Sequence, residues 1–181
     1  IQHRGPDEIG LYVDTYAGIG CARLSILDLE TGGQPIANED RSLWIICNGE
    51  VFNYLELRTE LERAGHRFST KTDIEVILHL FEQLGPDCLS RLNGQFAIAI
   101  WDSKRKQLFL ARDRIGICPL FVASLPRGLV FGSEIKALLA HPRLPARLDM
   151  QALAQTFTFW APLPPRTAFQ NIQQLPPGHY M

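Results

Sequence analysis

The sequence predicts an α+β fold: two stacked, largely antiparallel sheets with helices packed outside them. Three observations lead there. Two short apolar runs of strand length open the chain, and two amphipathic helical stretches follow them in succession. The second half breaks into short β-like runs at hairpin spacing, with helices only late. Strands and helices do not alternate as βαβ units would, so a doubly wound sheet is excluded.

Residues 18–27 read as a mostly apolar strand ending at Asp28. The stretch Glu30-Thr31-Gly32-Gly33-Gln34-Pro35 follows, in which paired glycines and a proline favour tight turns. Residues 42–47 form a short run rich in Ile and Trp, expected as a buried strand bounded by Asn48-Gly49. Leu55, Leu57, Leu61 and Ala64 mark a helix over 54–64 with Gly65 placed to cap it. Asp73, in competition with Thr72, is the expected N-cap of a second helix. Its broad apolar face runs from Ile74 to Leu84, and Gly85-Pro86 stops it.

Short β-like runs follow at 96–101, 107–111, 120–123 and 129–132, separated by turn-forming sequences. Ser133 is placed to cap a helix over 134–140 that His141-Pro142 ends. After a helix over 150–156, Pro162, Pro164, Pro165, Pro176 and Pro177 crowd a short span that suits a semi-rigid connector. The expected organisation is a domain over 1–148, then a helix and connector over 149–181 leading to something outside this chain.

At 181 residues, with 46% hydrophobic and 20% charged side chains, the chain can bury a core without disulfide or metal staples. A net charge of −1 argues against nucleic-acid and anionic-membrane partners, which demand a basic face. No apolar run approaches the ~20 residues that span a bilayer. Cys21, Cys47, Cys88 and Cys118 form no CxxC pair, so zinc and thioredoxin readings fail on spacing and no metal site is expected. They read as reduced thiols of a cytoplasmic protein.

Several residues carry chemical potential. Asn48-Gly49-Glu50 ends an apolar strand with an amide, a glycine and an acid. An Asn side-chain NH₂ beside a Gly backbone N–H suits a developing oxyanion; Asn-Gly is equally the strongest hairpin signal. Arg23 interrupts an apolar strand, where it pairs with a structural carboxylate or with that of a ligand. Asp73 and Glu75 offset a helix dipole by default, though such acids also grip cations. Arg112-Asp113-Arg114 reads as a solvated charge run or a structural corner, and His3-Arg4-Gly5-Pro6-Asp7 as a turn.

Taken in order, these segments resemble a family. His3-Arg4-Gly5-Pro6-Asp7, Ala22-Arg23-Leu24-Ser25-Ile26-Leu27-Asp28, Gly33-Gln34-Pro35 and Asn48-Gly49-Glu50-Val51-Phe52-Asn53-Tyr54 are similar to class II glutamine amidotransferases. The best match is the asparagine synthetase branch. The series continues through Thr72-Asp73-Ile74-Glu75, Leu92-Asn93-Gly94-Gln95-Phe96-Ala97, Arg112-Asp113-Arg114-Ile115-Gly116 and Ser133-Glu134-Ile135-Lys136 to Leu175-Pro176-Pro177-Gly178-His179-Tyr180.

The resemblance implies an N-terminal-nucleophile hydrolase fold, an αββα four-layer sandwich. It also implies hydrolysis of L-glutamine to glutamate and ammonia, with the ammonia passed to an ATP-using synthetase domain that amidates aspartate. Arg23 would hold the glutamine α-carboxylate, and Glu50 with Asp73 the α-ammonium. The Asn48 side chain and Gly49 N–H would form the oxyanion hole. No cofactor is expected here; ATP and Mg²⁺ belong to the synthetase domain, whose Ser-Gly-Gly-x-Asp-Ser phosphate cradle this chain lacks. The family also suggests a homodimer.

The family's nucleophile is an N-terminal cysteine with a free α-amine, and this sequence begins at Ile1, so the polypeptide alone is expected to be inactive. Two other readings share the resemblance: a catalytically idle binding or regulatory module, and the amidotransferase domain of a paralogue with another acceptor.

Overall fold

Strands β1 (Glu8–Val13) and β2 (Gly18–Arg23) pair antiparallel as a hairpin, in register from Glu8↔Arg23 to Val13↔Gly18. The Asp14 carboxylate closes the turn by accepting from the backbone N–H of Tyr16 (2.6 Å) and Ala17 (2.7 Å). Strand β1 is absent from the sequence reading, and much of it lies exposed, so no buried stripe marks it. Strand β2 ends at Arg23, short of the expected 27. This computed structural model describes residues 1–24, 28 and 32–181, so the rest of that expectation, Ser25 to Leu27, lies outside the described residues.

The described chain divides into two compact units, Ile1–Leu110 with Met181, and Ala111–Tyr180. A four-stranded sheet runs in the order β3-β4-β5-β6, from β3 (Ile36–Ala37), β4 (Leu43–Val51), β5 (Gly94–Asp102) and β6 (Gln107–Arg112). Strands β4 and β5 pair antiparallel over nine residues, Leu43↔Asp102 to Val51↔Gly94. The expected strand over 42–47 thus runs on through Asn48-Gly49, which rules out the hairpin-turn reading.

Helices α1 (Tyr54–Arg63) and α2 (Glu75–Leu84) follow β4. Helix α1 buries Leu57 and Leu61 but leaves Leu55 exposed, and Gly65 at φ 101° takes the expected C-terminal position. Val76, Ile77 and Leu78 of α2 are fully buried, as are Ile45 of β4 and Ile98 and Ile100 of β5. That set is the core of the first unit.

Asp73 does not cap α2 as expected: Ile74 holds the N-cap position without a side-chain bond, because the Asp73 carboxylate is engaged elsewhere. Glu75 is not a dipole-offsetting surface acid either. It is 1% exposed and accepts from Ser69 N (2.7 Å), Ser69 Oγ (2.8 Å), Thr70 N (2.7 Å) and Thr70 Oγ1 (2.6 Å), which fixes the loop that delivers Asp73.

The second unit has a three-stranded sheet, β8-β7-β9, from β7 (Phe121–Leu125), β8 (Gly128–Gly132) and β9 (Gln173–Gln174), with helices α3 (Ile135–Leu139) and α4 (Met150–Phe159). Ser133 does not cap α3, which starts one residue beyond Glu134. Asp149 caps α4 through the N–H groups of Gln151 (2.9 Å) and Ala152 (3.1 Å). The proline-bearing segment expected as a connector packs within this unit. Ile172 joins Ala123, Leu138 and Leu144 in the core, and Leu175 N donates to Leu120 O at 2.8 Å. Its isolated apolar residues supply the packing, which proline content alone conceals.

Arg112-Asp113 is a structural corner. The Asp113 carboxylate accepts from the N–H groups of Ile115, Gly116, Ile117 and Cys118, while the Arg112 guanidinium donates to the carbonyls of Cys118, Gly116 and Leu175. Among the described residues no helix is long and apolar enough to cross a membrane.

Candidate functional site

The C-terminal half of β4 carries the site. Its even residues face β5 with their backbone N–H groups, and its odd residues direct theirs to the opposite edge. Leu43 N there meets Asn38 Oδ1 at 3.0 Å. Cys47 N meets Gln34 Oε1 at 2.7 Å, while Gln34 Nε2 donates to Cys47 O at 3.2 Å, so one side-chain amide imitates a paired strand. Val51 N donates to Asp73 Oδ2 at 2.7 Å. The same alternation directs the Gly49 N–H to this edge, between the Gln34 and Asp73 anchors. Strand β3 pairs with Trp44 and Ile45, so among the described residues no strand covers the edge at Gly49.

Glycine is required at 49. Its φ is 148°, and a Cβ there would collide with Gln95 O and stand 2.6 Å from Phe96 Cα. Gly94 repeats this on the facing strand, where a Cβ would collide with Glu50 O. The two glycines let β4 and β5 approach closely beside the site.

Asn48 is half-buried on the face of β4 that also carries Trp44 and Ile46, opposite the core-facing Leu43, Ile45 and Cys47. Tyr12 of the β1–β2 hairpin stacks on Trp44 with ring centroids 4.2 Å apart, so the hairpin covers the Asn48 face. Arg23, at the end of β2, belongs to that hairpin. Arg23 is 8% exposed, and its guanidinium donates from Nη2 to Asp28 O at 2.8 Å and pairs with Glu8 at 3.5 Å. A Cβ on Gly32 would collide with Arg23 Nη2 and lie 2.6 Å from Thr72 Cγ2. Arg23 and the residue before Asp73 therefore flank the same glycine. Lys71 N donates to Asp28 Oδ2 at 2.7 Å and binds the two loops together. Asp7 N donates to Arg23 O at 3.2 Å, which docks the His3-to-Asp7 turn on the end of β2.

The electrostatics favour a cation at the acidic side. Asp73 is 5% exposed, and its carboxyl is pushed above the usual 3.8. Burial is the main cause; the Val51 N–H opposes it, and the neighbouring Glu50 carboxylate adds to it. A buried acid beside a second acid is relieved by an ammonium. The five predicted site residues, Arg23, Asn48, Gly49, Glu50 and Asp73, all lie in the first unit on β2, β4 and the loop before α2.

Sequence reasoning missed the positioning role of Gln34 and Glu75. The Gln-Pro turn and the Thr-Asp-x-Glu run were visible, but only the fold shows which backbone groups they hold.

None of the four cysteines is in a disulfide. Burial pushes the Cys21 thiol up and, together with Asp87, the Cys88 thiol to about 12; Cys47 and Cys118 are buried. The Cys21 thiol is raised chiefly by burial, against the opposing effect of Arg23.

The whole chain, residues 1–181, matches the family model described as "Glutamine amidotransferase domain". It is 42% identical over 186 residues to asparagine synthetase [glutamine-hydrolyzing] 2 of Bacillus subtilis (strain 168), taking in 100% of this chain and 25% of the relative. It is 41% identical to asparagine synthetase [glutamine-hydrolyzing] 3 of the same organism, over 99% of this chain and 30% of that relative. The chain thus spans 25% to 30% of the length of these relatives. Among solved structures, glutamine phosphoribosylpyrophosphate amidotransferase from B. subtilis, complexed with ADP and GMP, superposes with a TM-score of 0.56 at 28% identity, over 67% of this chain and 28% of that one. This agrees with the α+β, N-terminal-nucleophile hydrolase fold expected from the sequence.

Proposed function

This chain belongs to the glutamine amidotransferase domain family, and on that premise we propose that its β4 edge is the glutamine pocket of a glutamine-hydrolysing asparagine synthetase. The observation that carries this reading is the Gly49 N–H directed between the Gln34 and Asp73 anchors, with the Asn48 amide beside it. Those two donors polarise the side-chain amide and stabilise the oxyanion that forms when it is attacked. Arg23 binds the α-carboxylate through its planar guanidinium, and Asp73 with Glu50 binds the α-ammonium. Burial strengthens both contacts by removing competing water.

The relatives' names support a whole protein that uses the released ammonia to amidate aspartate. In that proposal a further domain of the same protein supplies the ATP and Mg²⁺ chemistry. Cys21, Cys47, Cys88 and Cys118 are all internal residues without the free α-amine that serves such a nucleophile as base, so this polypeptide alone should bind glutamine without releasing ammonia from it.

Calorimetric titration tests the pocket with three ligands. L-Glutamine should bind. Glutaramic acid, which lacks the α-amine, and 4-aminobutanamide, which lacks the α-carboxylate, should each bind at least ~10-fold more weakly, the loss expected for one charge-assisted contact. Equal affinity for all three would sink the reading. In the full-length enzyme, Asn48→Ala should lower glutaminase turnover by ~10²–10³-fold.

A further inference from the structure

In the first unit, away from the β4 edge, four side chains converge: Glu39 on the loop between β3 and β4, His66 after α1, and His79 and Glu82 on α2. One ligand atom from each lies within 4.8 Å of all the others. His79 and Glu82 stand three residues apart, on one face of the helix. His79 is fully buried, and neither of its ring nitrogens has a hydrogen-bond partner. Its Nδ1 points at the carboxylates of Glu39 (3.6 Å) and Glu82 (3.8 Å), and His66 Nδ1 lies 3.7 Å from each of them.

These separations are too long for hydrogen bonds. They suit donors that share an ion: four ligands placed tetrahedrally ~2.0–2.1 Å from a zinc ion stand roughly 3.3–3.4 Å apart. Around an ion the histidine-to-carboxylate separations would contract by a few tenths of an ångström, and the widest donor pair, at most 4.8 Å apart, by up to about 1.4 Å.

The groups around the cluster are those a metal centre needs. His79 Nε2 lies on the side of the buried Glu75 carboxylate, 3.7 Å away, and Nδ1 on the side of Glu39 and Glu82. The Gln83 amide lies 3.0 Å from His66 Nε2. Arg67 N donates to Glu39 Oε1 at 2.9 Å, and Asn38 Nδ2 donates to Glu82 Oε1 at 3.2 Å. The Glu39 and Glu82 side chains are each 37% exposed, which gives an ion a route in.

We propose that Glu39, His66, His79 and Glu82 form a binding site for one divalent transition-metal ion of the zinc class. Two imidazoles and two carboxylates suit such an ion better than calcium or magnesium, which prefer all-oxygen sites. The ion pins α2 to the chain leaving α1 and to the β3–β4 loop, and it satisfies a buried histidine whose ring nitrogens make no hydrogen bond. The cysteine spacing argued against zinc; this donor set uses no cysteine.

The test is titration of the metal-stripped protein with Zn²⁺, and with Co²⁺ for its visible absorption. One equivalent should bind, with an intense tetrahedral Co²⁺ spectrum and a raised Tm. The double variant Glu39→Gln/Glu82→Gln keeps buried His79 intact; its Tm in EDTA should match that of the parent, so misfolding is controlled. Its zinc affinity should fall by more than ~100-fold, beyond the loss seen when only an outer partner is changed. His66→Ala should lose the Co²⁺ spectrum independently. The proposal is overturned if binding is not stoichiometric, or if the double variant and His66→Ala bind as the parent does.

Discussion

Asp73→Asn separates holding the fold from holding the substrate. The wild-type carboxylate accepts the Val51 N–H at 2.7 Å while 5% exposed, with Glu50 nearby. An Asn oxygen can accept the same N–H, so the strand anchor survives while the charge is removed. Without ligand, the variant should be as stable as the parent or more so, because a desolvated charge and a like-charge neighbour are gone.

The sign with pH follows. The folded-state value lies above the usual 3.8, so the wild-type penalty is fully present above the folded value and vanishes as pH falls to 3.8. Any stability advantage of Asp73→Asn should vanish over that acidic window. Glutamine binding moves the other way: losing a charge-assisted contact worth about 1.5–3 kcal/mol weakens it ~10- to 150-fold. Asp73→Ala adds an unsatisfied Val51 N–H and should cost about 1–3 kcal/mol of stability as well. Urea unfolding and calorimetric titration of the three proteins read both quantities. If Asp73→Asn binds glutamine as the parent does, Asp73 is only an anchor and the ammonium assignment falls.

In the full-length enzyme Arg23→Ala should raise the glutamine KM while ammonia-dependent synthesis continues; loss of both activities in steady-state assays would make Arg23 structural. Gly49→Ala forces a Cβ into the backbone of Gln95 at φ 148° and should cost about 2–5 kcal/mol in urea unfolding; a neutral result would mean that β4 and β5 separate easily. Asp113 is opposed by burial, but the N–H groups of Ile117, Cys118, Gly116 and Ile115 outweigh that and hold it below 3.8. Its stabilisation is therefore present above pH 3.8 and lost as pH falls through the lower folded value. Asp113→Asn should cost about 2–3 kcal/mol near neutrality, with the deficit shrinking in acid on urea titrations at several pH values.

Periodicity made α1 and α2 legible, whereas the β5 to β8 runs were delimited by turn-forming sequences at hairpin spacing, β5 being buried continuously from Phe96 to Asp102. Strand β1 escaped because its apolar residues Ile9, Leu11 and Val13 lie on its exposed face, and its partner is fixed by the Asp14 turn rather than by a core face. Asp73 and Glu75 were legible as acids near a helix start, but not as acceptors for Val51 N and for the Ser69-Thr70 loop. Local rules assign such acids to the helix dipole, while the fold spends them on backbone groups far off in sequence. For Asn48-Gly49 the local rule gave a turn; Gly49 itself and Gly94 opposite Val51, which lack the Cβ atoms that would block close pairing, let β4 run straight through.

The edge of β4 explains why the motifs must occur together. A strand edge left open invites pairing, and pairing would consume the Gly49 N–H. Strand β3 stops after two residues, so beyond Ile45 the ladder is continued by side chains instead. Gln34 satisfies both polar groups of Cys47, and Asp73 takes the N–H of Val51. Each anchor uses its own odd-numbered residue, and the residue between them is Gly49. A full strand there would leave no donor, and a bare edge would leave three mobile ones. Two side-chain anchors fix the backbone on either side of one donor and hold it ready, which the proposed oxyanion site requires and a merely stable sheet does not.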